Sequence, residues 1–142
     1  FNPDGACVRA QVVTFLWRAA GSPEPVITEN PFVDVPMDEY YYKAVLWAYG
    51  NKITAGVDAD HFGPNAPCTR EQVVTFLWSA MGKPASTAEI PFADVKAEDY
   101  FCSAVAWAVE KGVTSGISAT EFGVSHTCTR AQIVTFLYKA MA

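Results

Sequence analysis

Nowhere in these 142 residues is there an apolar run long enough to cross a bilayer, so no membrane insertion is expected. A leader with a basic start and an apolar middle is missing as well. The chain opens inside a repeat and reads as a piece of a longer protein, so any export signal is expected upstream of Phe1. Charge is sparse. Charged residues make up 18% of the chain against 51% hydrophobic, a balance that folds rather than stays disordered. The formal net charge of −5 offers no basic surface, so neither nucleic acid nor an anionic membrane is an expected partner. Histidine is scarce too: His61 and His126 fall in loops at non-equivalent places, and no Ser/His/Asp set recurs. The expectation is therefore no enzyme, no catalytic residue and no cofactor. The four cysteines lack any Cys-x-x-Cys spacing, and Asp58 and Asp60 beside His61 are only a fragment of a calcium loop, so no metal is expected. Small buried hydrophobes are the plain reading of the cysteines, and a disulfide from Cys102 to one of the other three is the alternative.

What the chain does have is repetition. Cys68-Thr-Arg-Glu-Gln-Val-Val-Thr-Phe-Leu-Trp78 has an earlier copy at 7–17 and a later one at 128–138, offset by 61 and 60 residues. Each copy carries the signature of a helix start. Thr69 and Thr129 stand three residues before Gln72 and Gln132, which is a capping box; Val8 replaces the threonine in the first copy and weakens that cap. Val73, Phe76, Leu77 and Ala80 then form one apolar stripe, and Val74, Trp78 and Met81 an adjoining one. Helices apolar over so much of their girth are buried, and three of them in one small chain are expected to bury one another.

The remaining order follows from the breakers. Residues 1–21 form the second half of a first repeat, with a turn at 1–5 and a helix from about Arg9 to Ala20. Residues 22–30 are a proline-bearing linker. Repeat two spans 31–82, with an outer helix from about Glu39 to Gly50 and turns at 53–56 and 58–65. A linker at 83–90 precedes repeat three at 91–142, whose outer helix is expected over 100–110. Together they are expected to form one folded domain.

The order Phe-x-Asp-Val, Tyr-x-x-Ala-Val-x-Trp-Ala, Ile-Thr-x-Gly and Phe-x-Pro-x-x-x-x-Thr-Arg-x-Gln resembles the S-layer homology family over nearly the whole chain. The resemblance implies an all-α, pseudo-threefold repeat domain with a central three-helix bundle and the other helices and loops as outward prongs. It implies a non-catalytic module that anchors an exported bacterial protein at the cell wall or S-layer. The partner would be a secondary cell-wall polysaccharide, often one ending in a pyruvylated sugar. The alternative is a structural or protein-interaction module that self-assembles or contacts a host protein.

The residues expected to hold the polysaccharide are Arg9, Arg70, Arg130, Asp34, Asp94, Tyr40, Tyr100, Gly56 and Gly116. An arginine in a first helical turn opposes the helix dipole unless something negative sits beside it, which a ligand carboxylate or an internal salt bridge to Asp34, Asp94 or Glu71 would provide. Asp34 and Asp94 either accept sugar hydroxyls or cap the next segment. Tyr40 and Tyr100 offer stacking faces, whereas Trp47 and Trp107 are expected to pack. Gly56 and Gly116 permit positive φ or a close backbone approach. The chain departs from the family pattern in three ways: Gln follows where Glu is usual, Tyr40 and Tyr100 replace Trp, and Asn2, Gly63 and Gly123 replace a basic residue. Weaker anion binding or an altered ligand is implied.

Overall fold

The computed structural model describes residues 5–141 and contains, among them, five α-helices and no strand. They are α1 (Arg9–Ala19), α2 (Tyr42–Gly50), α3 (Arg70–Ala80), α4 (Cys102–Lys111) and α5 (Arg130–Met141). The all-α class is therefore observed. The turn expected at residues 1–5, and Asn2 within it, lie outside the described residues apart from Gly5. Two compact units divide the chain: Cys7–Pro67 forms one, and Cys68–Ala142, with the start of the chain up to Ala6, forms the other. Each unit combines a central helix of one repeat with the outer half of the next.

In the Cys7–Pro67 unit, α1 packs against α2. Val8 leaves the cap of α1 half made: its backbone N–H donates to Gln11 Oε1 at 2.9 Å, but valine has no oxygen to return. The exposed donors of the first turn are satisfied from a distance instead. Arg9 N–H donates to the Ala66 carbonyl and Ala10 N–H to the Pro64 carbonyl, both at 3.0 Å. The helix closes at Gly21, whose φ of 94° only glycine adopts without strain. Trp17 Nε1 then donates to the Pro23 carbonyl and ties the linker to the helix. The outer helix starts at Tyr42, three residues later than its apolar pattern suggests. Pro36–Tyr41 is taken up by turns closed by Glu39 N–H to Pro36 O and Tyr42 N–H to Glu39 O. Val12, Val13, Leu16, Val45 and Phe62 are all 5% exposed or less and form the core. Each such side chain contributes about 1.5–3 kcal/mol on leaving water.

In the second unit α3 packs against α4, and α5 packs against both. The capping box is complete on α3, where Thr69 N–H donates to Gln72 Oε1 at 2.9 Å and Gln72 N–H donates back to Thr69 Oγ1 at 3.4 Å. Thr129 and Gln132 repeat it on α5. The same long-range pairing recurs at both helix starts: Arg70 N–H donates to the His126 carbonyl and Arg130 N–H to the Gly5 carbonyl. Helix α4 starts at Cys102 rather than Tyr100, after a turn in which Cys102 N–H donates to Asp99 O, and it ends on Gly112 in the left-handed region.

Candidate functional site

The arginine of each central helix is the hub of the candidate site. Arg9 is 5% exposed, and so is Arg70. Arg9 Nε donates to the Phe62 carbonyl at 2.9 Å, Nη2 reaches Thr54 Oγ1 at 3.5 Å, and the guanidinium lies 4.8 Å from the centre of the Phe62 ring. The second unit repeats this: Arg70 donates to the Phe122 carbonyl at 2.9 Å and to Thr114 Oγ1 at 3.5 Å, and stands over the rings of Phe122 and Phe136. The first-turn cation is thus met by a carbonyl, a hydroxyl and an aromatic face of the following repeat's turn and loop, with Phe136 of α5 added for Arg70. Burial pushes the Arg70 pKa below its ordinary value, against the pull of Cys128, Asp94 and Glu71, yet a guanidinium stays charged in proteins.

Asp34 and Asp94 hold the same loops from the other side. The Asp34 carboxylate accepts from the backbone N–H groups of Phe62 and Gly63, both at 2.9 Å. Asp94 accepts from Phe122, Gly123 and Val124 at 2.8–3.0 Å. Burial raises the Asp94 pKa, but its backbone donors outweigh that and hold it below the usual carboxylate value.

Gly56 and Gly116 sit at φ of 86° and 85°. A Cβ on Gly56 would meet the His61 carbonyl and a Phe32 ring carbon at 2.6 Å, and one on Gly116 would meet the Glu121 carbonyl and a Phe92 ring carbon at 2.5 Å. Their conformation lets the phenylalanine of Phe-x-Asp-Val slide over the turn and pack 5.8 Å from the loop phenylalanine, as Phe32 does on Phe62 and Phe92 on Phe122. The threonine between helix and glycine has two tasks, since Thr54 Oγ1 also accepts from Gly56 N–H at 3.0 Å, as Thr114 Oγ1 does from Gly116.

At the surface of each unit stands a tyrosine. Tyr40 is 55% exposed and Tyr100 66%. Each meets a buried aromatic neighbour edge-on, Tyr40 against Tyr41 at 5.0 Å and Tyr100 against Phe101 at 5.1 Å. Trp107 is buried and Trp47 half-buried, as packing residues are. Arg130 differs from its two counterparts: it is half-buried, and its guanidinium has no hydrogen-bond or ring partner among the described residues.

Four residues outside the expected set therefore belong to the constellation: Thr54, Thr114, Phe62 and Phe122. Their signal is the repeated spacing of Ile/Val-Thr-x-Gly and the loop Phe-Gly, which reads as turn chemistry until the arginine is seen to reach it. Two further polar groups act locally. Glu71, 7% exposed, accepts from Ser125 N–H, and so fixes a residue at φ of 71°. His61 pairs with Asp58 at 2.9 Å on the surface, a hydrogen bond that raises the histidine pKa and lowers that of the aspartate. Cys7, Cys68 and Cys128 are fully buried, and Cys102 carries a free thiol. No group of three His, Cys, Asp or Glu side chains among the described residues is placed to hold a metal ion, and no helix among them is long and apolar enough to cross a membrane.

A family model described as the S-layer homology domain matches residues 31–74 and 91–134. A cell surface protein of Thermoanaerobacter kivui is 29% identical over 117 residues, covering 79% of this chain and 15% of that protein. An endoglucanase of Bacillus sp. (strain KSM-635) is 28% identical over 110 residues, which is 78% of this chain and 12% of the enzyme. A surface-layer 125 kDa protein of Lysinibacillus sphaericus is 34% identical over 92 residues, 62% of this chain and 8% of that protein. The matches thus cover only 8–15% of the length of these relatives.

Proposed function

The chain belongs to the S-layer homology domain family, and from that premise we propose that it is a non-catalytic module that anchors a larger exported protein to a secondary cell-wall polysaccharide at the bacterial surface. S-layer homology domains are surface-anchoring modules, and the relatives include a cell surface protein and a surface-layer protein. The endoglucanase is matched over 12% of its length, as an anchoring module of a larger protein would be.

One observation carries the polysaccharide: the same exposed tyrosine recurs in both units, each edge-on to a buried neighbouring ring. A rigid exposed aromatic face stacks on the apolar face of a sugar ring at little cost in side-chain entropy. Tyr40 and Tyr100 are the stacking residues in this proposal. Arg9, Arg70 and Arg130 supply positive potential toward an acidic sugar, the first two from beneath their loops. Asp34, Asp94, Gly56 and Gly116 shape the wall that the sugar meets. The same first-turn contact recurs on all three central helices, each backbone N–H of the arginine donating to a carbonyl of its own unit.

The test is co-sedimentation of the purified chain with purified cell walls, before and after acid extraction of their secondary polymers. Binding to intact walls is expected, lost on extraction and weakened in a Tyr40→Ala, Tyr100→Ala double variant. Binding that survives extraction overturns the reading in favour of a protein-interaction module.

A further inference from the structure

The residue before each cap has no task in the site described above, yet cysteine stands there in all three copies of the central helix. Cys68 and Cys128 belong to the same compact unit, and both are 0% exposed. They lead into α3 and α5, which pack against each other. Buried thiols fill space as small hydrophobes do. The backbone between these two gives them a closer relationship than packing requires.

Thr69 and Thr127 form an antiparallel bridge. The bonds that define it lie on either side. Cys128 N–H donates to the Cys68 carbonyl at 3.1 Å, and Arg70 N–H donates to the His126 carbonyl at 2.9 Å. That register sets Thr69 opposite Thr127 and therefore Cys68 opposite Cys128, with a hydrogen bond joining the two cysteines directly. Opposed residues of an antiparallel pair send their side chains to the same face. A hydrogen-bonded pair of this kind holds its Cα atoms about 5.5 Å apart, inside the range of about 4.4–6.8 Å that a disulfide spans. Its Cβ atoms stand about 4.5–5.5 Å apart, so roughly 1 Å of closure completes the bond.

Charge and topology point the same way. The Arg70 guanidinium acts electrostatically on Cys128. A cation beside a thiol favours the thiolate, which is the attacking species in disulfide exchange. A bond here closes a loop that contains α3 and α4, and long loops gain most from closure. Cys102 sits elsewhere, half-buried in the first turn of α4, with its N–H donating to the Asp99 carbonyl.

We propose that Cys68 and Cys128 are a disulfide pair that staples the start of α3 to the start of α5 in the oxidised protein. A place at the cell surface supplies the surroundings in which such bonds persist. One thiolate attacks a small-molecule disulfide and releases half of it as a thiol. The second cysteine then attacks the mixed disulfide and releases the other half. The two cysteines lose two electrons and two protons, and the small disulfide becomes two thiols. Full burial places this exchange in the folding or transiently opened chain. The inference rests on the surface location in the proposed function and not on polysaccharide binding.

For the test, the full chain is unfolded in urea, refolded with oxidised and reduced glutathione, alkylated and digested with trypsin. Trypsin places the four cysteines in separate peptides, 1–9, 53–70, 97–111 and 112–130. A cross-link of 53–70 to 112–130 is expected, with 97–111 alkylated. The melting temperature is expected to lie at least about 5 °C above that of the chain refolded in dithiothreitol. Cys102→Ser keeps both results and Cys68→Ser loses both. A cross-link that includes 1–9 or 97–111 overturns the proposal, as does alkylation of all four peptides. A cross-linked chain that melts no higher than the reduced one removes the stapling role.

Discussion

Arg70 Nε donates to the carbonyl oxygen of Phe122 at 2.9 Å, joining the first turn of one repeat's central helix to the loop of the next repeat, 52 residues further along the chain. Arg9 and Phe62 make the same bond in the other unit. The conserved geometry in the two copies makes the arginine a structural hub as well as a source of charge.

Arg70→Ala is therefore expected to lower stability by about 2–3 kcal/mol, because it strips a charged donor from a buried carbonyl and hydroxyl. Arg70→Lys recovers little of that, since one ammonium cannot reproduce the planar fork that reaches both oxygens. Arg130→Ala is expected to cost less than about 1 kcal/mol. Urea unfolding of the three variants makes the comparison. Equal losses at Arg70 and Arg130 would remove the hub role.

Gly116→Ala and Gly112→Ala separate steric from conformational cost. Both positions have positive φ, but a Cβ at Gly112 meets nothing within 4 Å, while at Gly116 it meets two groups at 2.5 Å. The Gly112 variant is expected to lose about 1 kcal/mol from the left-handed conformation alone. The Gly116 variant loses that and more, and the Phe92–Phe122 packing shifts with it. Thermal melts rank the two, and a Gly112 loss as large as the Gly116 loss contradicts the packing argument.

The caps give a third contrast. Thr69→Ala removes the oxygen that accepts from Gln72 N–H and is expected to cost about 1 kcal/mol. Val8→Thr supplies the half of the box that α1 lacks, and is expected to return about 0.5–1 kcal/mol. Chemical denaturation reads both, and a destabilised Val8→Thr variant would show that the Ala66 and Pro64 carbonyls already meet the need.

Acid should weaken the second unit through Asp94. Its folded pKa lies below its unfolded value near 3.8, so its contribution is fully present above that value. It is lost as pH falls through the lower, folded pKa. Asp94→Asn, with one oxygen for three backbone donors, is expected to be less stable at pH 7 and to show a shallower acid-side decline. Stability measured by urea at several pH values between 7 and 2 checks the sign. A variant with the parent's acid slope would assign that slope to other carboxylates.

Local features were legible before any coordinates. Thr69 and Gln72 mark a helix start because a capping box is a contact of three residues' span, and the structure has it. The apolar stripe of Val73, Phe76, Leu77 and Ala80 acts within one or two turns, so its outcome follows from neighbours in sequence. Apolar spacing alone starts the outer helices two or three residues too early, at Glu39 and Tyr100 instead of Tyr42 and Cys102. Apolar spacing does not distinguish the turn that precedes a helix from the helix itself, and the turn bonds at Pro36–Tyr42 and Asp99–Cys102 settled it.

By itself, then, the sequence determined the all-α class, the repeat and the family, because periodicity, caps and turns are short-range and recur in phase. Only the tertiary structure decided what the arginines touch, that the aspartates serve backbone donors of a loop 28–30 residues away, and that α5 exposes Val134 where α1 and α3 bury Val13 and Val74. Those facts depend on which distant carbonyl, ring or helix arrives beside a side chain. Three equivalent arginines have the same local sequence signal, yet Arg9 and Arg70 are buried and Arg130 is half-buried, a difference that no local pattern encodes.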